Sequence, residues 1–134
     1  MIAKIMKGSG FKSVINYILD PKKGTELIDS LGVRTDDINH IVQSFIDQTE
    51  LNPRVSKVVG HISLSFSVQD SPKLNNEWMA QIAREYMEKM GIKDTQYIIG
   101  RHFDKEHPHI HIAFNRIDNN GKTISDRNDR FRSE

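Results

Sequence analysis

Two stretches of the chain alternate strictly between apolar and polar side chains, and this rhythm limits the fold more than any other feature. In VVGHISLSFSV (58–68), Ile62, Leu64, Phe66 and Val68 fall on one side, and His61, Ser63, Ser65 and Ser67 on the other. In HIHIAFNRI (109–117), Ile110, Ile112 and Phe114 alternate with His109 and His111. A period of two marks a half-buried β-strand. Strands with one wet face belong to an antiparallel sheet; the strands of a parallel sheet are apolar on both sides.

The remaining segments complete such a sheet. IAKIM (2–6), TELIDSL (25–31) and TQYIIGRHF (95–103) read as further strands. FKSVINYIL (11–19) places Phe11, Val14, Ile15 and Ile18 on one helical face, and Asp20-Pro21 ends it because a residue before proline avoids the helical region. Ile38, Ile41, Val42, Phe45 and Ile46 repeat at helical spacing over 36–49, behind Thr35 as N-cap. Trp78, Met79, Ile82, Ala83, Tyr86, Met87 and Met90 form the apolar stripe of a third helix over 74–90, closed by Gly91. Asn120-Gly121 predicts a tight turn, with KTIS (122–125) as the returning arm. The order β-α-β-α-β-α-β-β predicts an α+β fold, a two-layer sandwich whose helices pack on one face of a central antiparallel sheet. Its 134 residues suit one domain over 1–134. The polar ending SDRNDRFRSE has no capping element, so the domain is read as the N-terminal piece of a longer protein.

Composition removes several function classes. With no cysteine, disulfides and thiolate zinc sites are excluded, and a reducing, cytoplasmic setting is expected. No apolar run approaches the ~20 residues of a membrane span, and the N-terminus lacks a signal-peptide pattern. The net charge of +1 is uninformative, but basic residues gather at both ends. Lys4, Lys7, Lys12, Lys22 and Lys23 lie at one end, and Lys122, Arg127, Arg130 and Arg132 at the other, as patches that could flank a phosphate backbone.

Any metal must then be held by His, Asp or Glu, and four of the six histidines fall within residues 102–111. On a strand, His109 and His111 project to one face with Cα atoms ~6.6 Å apart, close enough to tilt onto one ion. If strands 95–103 and 109–117 pair through the intervening loop, His102 comes beside them. The predicted result is an H-x6-H-x-H site of three neutral imidazoles on the exposed face of the sheet. Its open coordination positions and uncompensated positive charge would favour an anionic ligand such as a phosphodiester. Asp104 and Glu106 are candidates to orient the rings; His107, in the loop, is assigned no role. Asn115, Arg101 and Arg116 are possible DNA contacts beside the site.

An open metal site beside a phosphodiester needs an attacking group, either water or a side chain. Tyr86 belongs to the apolar stripe. Tyr97 is five residues from His102 and so on the opposite strand face. Tyr17 lies roughly 100–120° from the centre of the first helix's buried face, where a ring can pack while its hydroxyl reaches outward.

INYILDPKKG (15–24) and HFDKEHPHIHIAFNRID (102–118) together resemble the relaxases of mobilisable and conjugative plasmids and transposons, mobilisation proteins of the His-hydrophobic-His endonuclease class. The resemblance spans nearly the whole chain and implies a central antiparallel sheet with helices on one side. It implies that Tyr17 is the nucleophile and that His102, His109 and His111 hold a divalent ion, manganese or magnesium in use. It also implies nicking of single-stranded DNA at an origin of transfer through a 5′-phosphotyrosine, with accessory mobilisation proteins as possible partners. GHISLSFS occupies the place of the family's middle motif without a matching acidic residue, and His61 and its neighbouring serines are possible substitutes. The metal's field, Asp104 or His61 could take the tyrosine proton. Two other readings stay open: a metal-dependent phosphoesterase using water, and a non-catalytic DNA-binding module with a structural ion.

Overall fold

A computed structural model of the chain describes residues 1–125. Five strands, β1 (Ile2–Gly8), β2 (Thr25–Leu31), β3 (Val59–Ser65), β4 (Tyr97–His102) and β5 (His109–Asn115), form one sheet in the order β1-β3-β5-β4-β2. Every neighbouring pair is antiparallel. The helices are α1 (Phe11–Ile18), α2 (Ile38–Thr49) and α3 (Asn76–Lys89). The α+β antiparallel architecture expected from the alternation is the one adopted. Among the described residues, no helix is long and apolar enough to cross a membrane.

The helices divide between the two faces of the sheet; they do not all lie on one. Met79, Ala83, Tyr86 and Met87 of α3, with Met90 at its C-cap, pack on Ile62, Leu64, Ile99, Ile110 and Ile112. On the other face, Phe11, Ile15 and Ile18 of α1 and Ile41, Val42 and Phe45 of α2 pack on Val59, Ile98 and Ala113. The second face is open only over half its length; at the other end helices cover Ala113, Val59 and the buried Asn115. Along β5 it runs His109, His111, then Ala113, and the paired residues of β3 run Ser65, Ser63, His61, then Val59. The small apolar end recruits α1 and α2, whose Phe11 and Phe45 rings stack at 4.7 Å between centroids. The polar end keeps the histidines. Alternation alone does not reveal this lengthwise division, because it reports which side a residue faces and not what covers it.

Smaller differences have local causes. Asp37, not Thr35, caps α2, its carboxylate accepting from the His40 N–H at 2.8 Å. β3 ends at Ser65, and a 3-10 segment follows over Val68–Lys73. Asn75 caps α3, so Trp78 falls in its first turn and is 53% exposed instead of joining the core. The returning arm after Asn120-Gly121 reduces to one bridge between Ile117 and Thr123.

Candidate active site

Pairing of β4 with β5 puts His102 directly opposite His109. His111, two residues further along β5, stands opposite Gly100 on one side and Ser63 on the other. The three side chains converge as the spacing predicts, and one nitrogen from each lies within 4.8 Å of the others. They do not sit on an exposed face. His102, His109 and His111 are only 2%, 6% and 5% accessible, because β5 is central in the sheet and α1 lies across its polar end.

The hydrogen bonds leave one nitrogen of each ring available. His102 donates from Nε2 to the Ile18 carbonyl at 2.8 Å, and its buried Nδ1 has no protein partner. His109 donates from Nδ1 to the His107 carbonyl at 3.1 Å, which leaves Nε2. His111 Nδ1 is 2.9 Å from His61 Nε2, which leaves Nε2. A histidine that binds a metal through one nitrogen typically anchors the other in this way. A buried imidazole nitrogen without a partner is costly unless something else takes its lone pair. This donor set fits a divalent cation held by His102, His109 and His111.

Burial favours the neutral, metal-binding form of His111, His102 and the neighbouring His61. It pushes His111 down to about 3, helped by the neighbouring His102, His61 and His109. Burial also lowers His61, with His102 adding to it, and lowers His102 despite its bond to Ile18. Neutral imidazole is the ligand form.

The end of α1 is pressed tightly onto β4. An added Cβ at Gly100 would stand 2.5 Å from Ile18 Cγ2 and 3.2 Å from the Ile18 oxygen. Glycine inside a strand often marks such a close approach. Here it lets the last turn of α1 deliver both the carbonyl that anchors His102 and the neighbouring Tyr17. The Tyr17 ring lies 5.1 Å from His111, 5.5 Å from His102 and 5.9 Å from His61, centroid to centroid. It is 40% exposed, packed on one side and open on the other. Tyr86 lies in the core, and Tyr97 lies on the opposite face, its hydroxyl donating to Asp29 at 3.2 Å.

The turn after α1 supplies a cation. Asp20 accepts from the Lys22 N–H, and Gly24 closes the turn in the left-handed region at φ 58°. The Gly24 carbonyl takes the Phe103 N–H, so the turn is joined to the end of β4. This places Lys23 Nζ 5.0 Å from the Tyr17 ring centroid and 3.7 Å from Asp104 Oδ2. Asp104 Oδ1 lies 3.3 Å from His109 Nε2. Burial opposes ionisation of Asp104, but a hydrogen bond from its own backbone N–H, then His109 and Lys23, outweigh it and hold the carboxyl below the ordinary carboxylate range. Glu106 is exposed on the same loop.

A groove of about 760 Å³ opens from the histidines toward β1, lined by Ile2, Lys4, Met6, Ser63, Ser65 and Lys105 among others. Ile2 and Met6 are exposed apolar side chains. The other expected DNA contacts are structural. Asn115 is fully buried, donating to Phe45 and Gln96 and accepting from the Ile117 N–H. Arg116 donates to the carbonyls of Lys57 and Ile124. Arg101, on the α3 face, donates to Asn76 and lies over Phe103. Arg127, Arg130 and Arg132 lie outside the described residues. The anchoring carbonyls of Ile18 and His107 were invisible to side-chain reasoning; Gly100 inside a predicted strand was the one available signal.

The family model described as relaxase, MobA/VirD2-like, nuclease domain, matches residues 17–134. Among curated proteins the chain is similar to Protein MobA of Acidithiobacillus ferrooxidans, with 31% identity over 64 residues, 48% of this chain and 15% of that protein. The matched stretch is thus a small part of that relative's length.

Proposed function

The chain belongs to the MobA/VirD2-like relaxase nuclease domains, and from that premise we propose that it nicks single-stranded DNA at an origin of transfer, with Tyr17 as nucleophile. The observation that carries this reading is the Tyr17 ring set against three buried imidazoles, each with one nitrogen left for a cation. A divalent ion held there, manganese or magnesium, supplies Lewis-acid stabilisation of charge on the scissile phosphate. The residues of the chain do the rest. Tyr17 forms a bond from its phenolic oxygen to phosphorus, and the bond from phosphorus to the 3′-oxygen breaks. The phenol gives up one proton and the departing 3′-oxygen gains one, leaving a 5′-phosphotyrosine and a free 3′-hydroxyl. The new ester retains the energy of the broken diester, so the step can run backward and rejoin strands.

His61 is the positioning partner of His111. With an ion on His111 Nε2, Nδ1 keeps the proton and donates it to His61 Nε2, which fixes the ring's rotation and tautomer. The groove beside Tyr17 suits a single strand. Lys4 and Lys105 offer cations to phosphates, and Ile2 and Met6 offer apolar surfaces to bases. α1 covers one side of the histidines and leaves the groove beside Tyr17 open to the strand.

The test is incubation with manganese and single-stranded oligonucleotides tiling the DNA that flanks the coding sequence, followed by intact-mass measurement. The expected product is a protein–DNA adduct on Tyr17, absent in Tyr17→Phe. Cleavage that persists in Tyr17→Phe without an adduct would overturn the covalent mechanism in favour of a water nucleophile.

A further inference from the structure

A single strand cut at one phosphate leaves the centre on two sides. The groove toward β1 takes one arm. The sheet order β1-β3-β5-β4-β2 puts the opposite side of the histidines at the end of β4, where Phe103 follows His102. Phe103 is 52% exposed. One exposed apolar side chain is ordinary on any protein, but this one is held in place by its surroundings. The Arg101 guanidinium lies over its ring, 4.8 Å from the centroid. That guanidinium is itself fixed: Arg101 Nη1 donates to Asn76 Oδ1 at 2.9 Å, and Asn76 Nδ2 donates to Glu26 Oε1 at 2.9 Å. The backbone is fixed too, since the Phe103 N–H donates to the Gly24 carbonyl at 3.0 Å.

The turn after α1 joins this ring to the reacting side. Phe103 Cβ lies 3.6 Å from the place a Cβ on Gly24 would take, so the stem of the ring packs against that turn. Lys23, the residue before Gly24, reaches the Tyr17 ring at 5.0 Å from its centroid, and Lys22 beside it is exposed. The chain between the phenol and the exposed ring thus carries two cations. We propose that Phe103 and Arg101 form a stacking platform for a base of the DNA arm that leaves the centre away from the groove, with Lys22 meeting a phosphate of that arm. This rests on the relaxase reading only in taking single-stranded DNA as the ligand.

A platform of this kind selects the state of the strand and not its sequence. Every base has a π-face that can stack on an aromatic ring or a guanidinium. In a duplex those faces are taken by neighbouring bases, so an unpaired arm alone can use Phe103. A ring already held by Arg101 loses little freedom when a base arrives. A strand gripped on both sides of the scissile phosphate also presents that phosphate to Tyr17 in one position.

The probe is a dye-labelled oligothymidylate of ~16 nucleotides, titrated by fluorescence anisotropy with the unaltered chain, Phe103→Ala and Phe103→Trp. Stacking of one base on an aromatic side chain is worth ~5–100-fold in affinity. Phe103→Ala should bind more weakly by that factor, and Phe103→Trp should bind as the unaltered chain does. Trp78 is the chain's only tryptophan, so Phe103→Trp in a Trp78→Phe background gives a second readout. Emission of the new indole should be quenched as thymine from an unlabelled strand stacks on it. Phe103 is exposed, and unchanged thermal unfolding checks that each variant is folded. Equal affinity of Phe103→Ala and the unaltered chain, or an unquenched indole on a bound strand, would overturn the platform while leaving the Tyr17 adduct test standing. A loss in Phe103→Ala that Phe103→Trp does not restore would overturn it as well, because packing and not stacking would then be the cause. Failure of the unaltered chain to bind the strand would overturn both the platform and the single-stranded part of the relaxase reading.

Discussion

Replacing Gly100 with alanine tests whether the contact between α1 and β4 builds the site. The new Cβ would stand 2.5 Å from Ile18 Cγ2 and 3.2 Å from the Ile18 oxygen. Carbon atoms rest at ~3.5–4.0 Å, so the end of α1 must retreat by ~1 Å. Ile18 is fully buried and β-branched, and cannot simply swing away. Overpacking of this kind costs ~1–3 kcal/mol. The 2.8 Å bond from His102 Nε2 to the Ile18 carbonyl is stretched at the same time, and a buried polar group that loses its partner costs a further ~1–3 kcal/mol. The expected destabilisation is therefore ~2–6 kcal/mol, read by urea unfolding. Tyr17 is the residue next to Ile18, and a ~1 Å misplacement of a reacting group costs on the order of 100-fold in rate. Ile18→Ala removes the clashing methyl and by itself costs ~2–5 kcal/mol. In the double variant the two costs should fall short of their sum by at least ~1 kcal/mol, the signature of direct contact. Stability of Gly100→Ala within ~0.5 kcal/mol of the unaltered chain, or strict additivity in the double variant, would refute the reasoning.

His61→Leu removes the acceptor of the His111 Nδ1 proton, so manganese affinity measured by calorimetry should fall ~10–100-fold while α1 and Tyr17 keep their packing; an unchanged affinity would detach His61 from the centre. Acid should weaken the metal-free protein in a defined window. Burial pushes His111 down to about 3, whereas in the unfolded chain its ring takes a proton near pH ~6.5. Between those values the unfolded state binds more protons, so stability rises with pH there. It is whole above pH ~6.5, and His111 removes up to ~1.4 kcal/mol per pH unit as pH falls toward its folded value. His61 and His102, also lowered, act in the same direction. Urea unfolding with chelator at several pH values between 7.5 and 5 should show this slope, and His111→Gln should reduce it. A flat profile would mean that the rings are not held neutral by the fold.

Much of the architecture was written locally in the chain. The alternation at 58–68 and 109–117, the helical spacing of Phe11, Ile15 and Ile18, and the stripe of Met79, Ala83 and Met87 identify the elements, because these are properties of a few successive residues. Where sequence reasoning failed, it had treated a face as uniform. Trp78 has the right spacing for the stripe but falls in the first turn of α3, beyond the edge of what it covers. Asn115 shares a strand face with His109 and His111, yet α2 covers its end of that face, and its amide satisfies the Phe45 carbonyl instead of touching DNA.

The spacing of His102, His109 and His111 by itself determined that three imidazoles meet on neighbouring strands, because a pleat of period two and a short hairpin leave little freedom. Which nitrogen of each ring is left over was decided only by the tertiary structure. The groups that hold the other nitrogens include the Ile18 carbonyl, 84 residues from His102, and His61, 50 residues from His111. The placement of Tyr17 against those rings has the same origin, since it follows from how closely Gly100 lets α1 approach the sheet. Periodicity tells a side chain which way to point, but hydrogen bonds between distant segments form only when the packed elements bring donor and acceptor together.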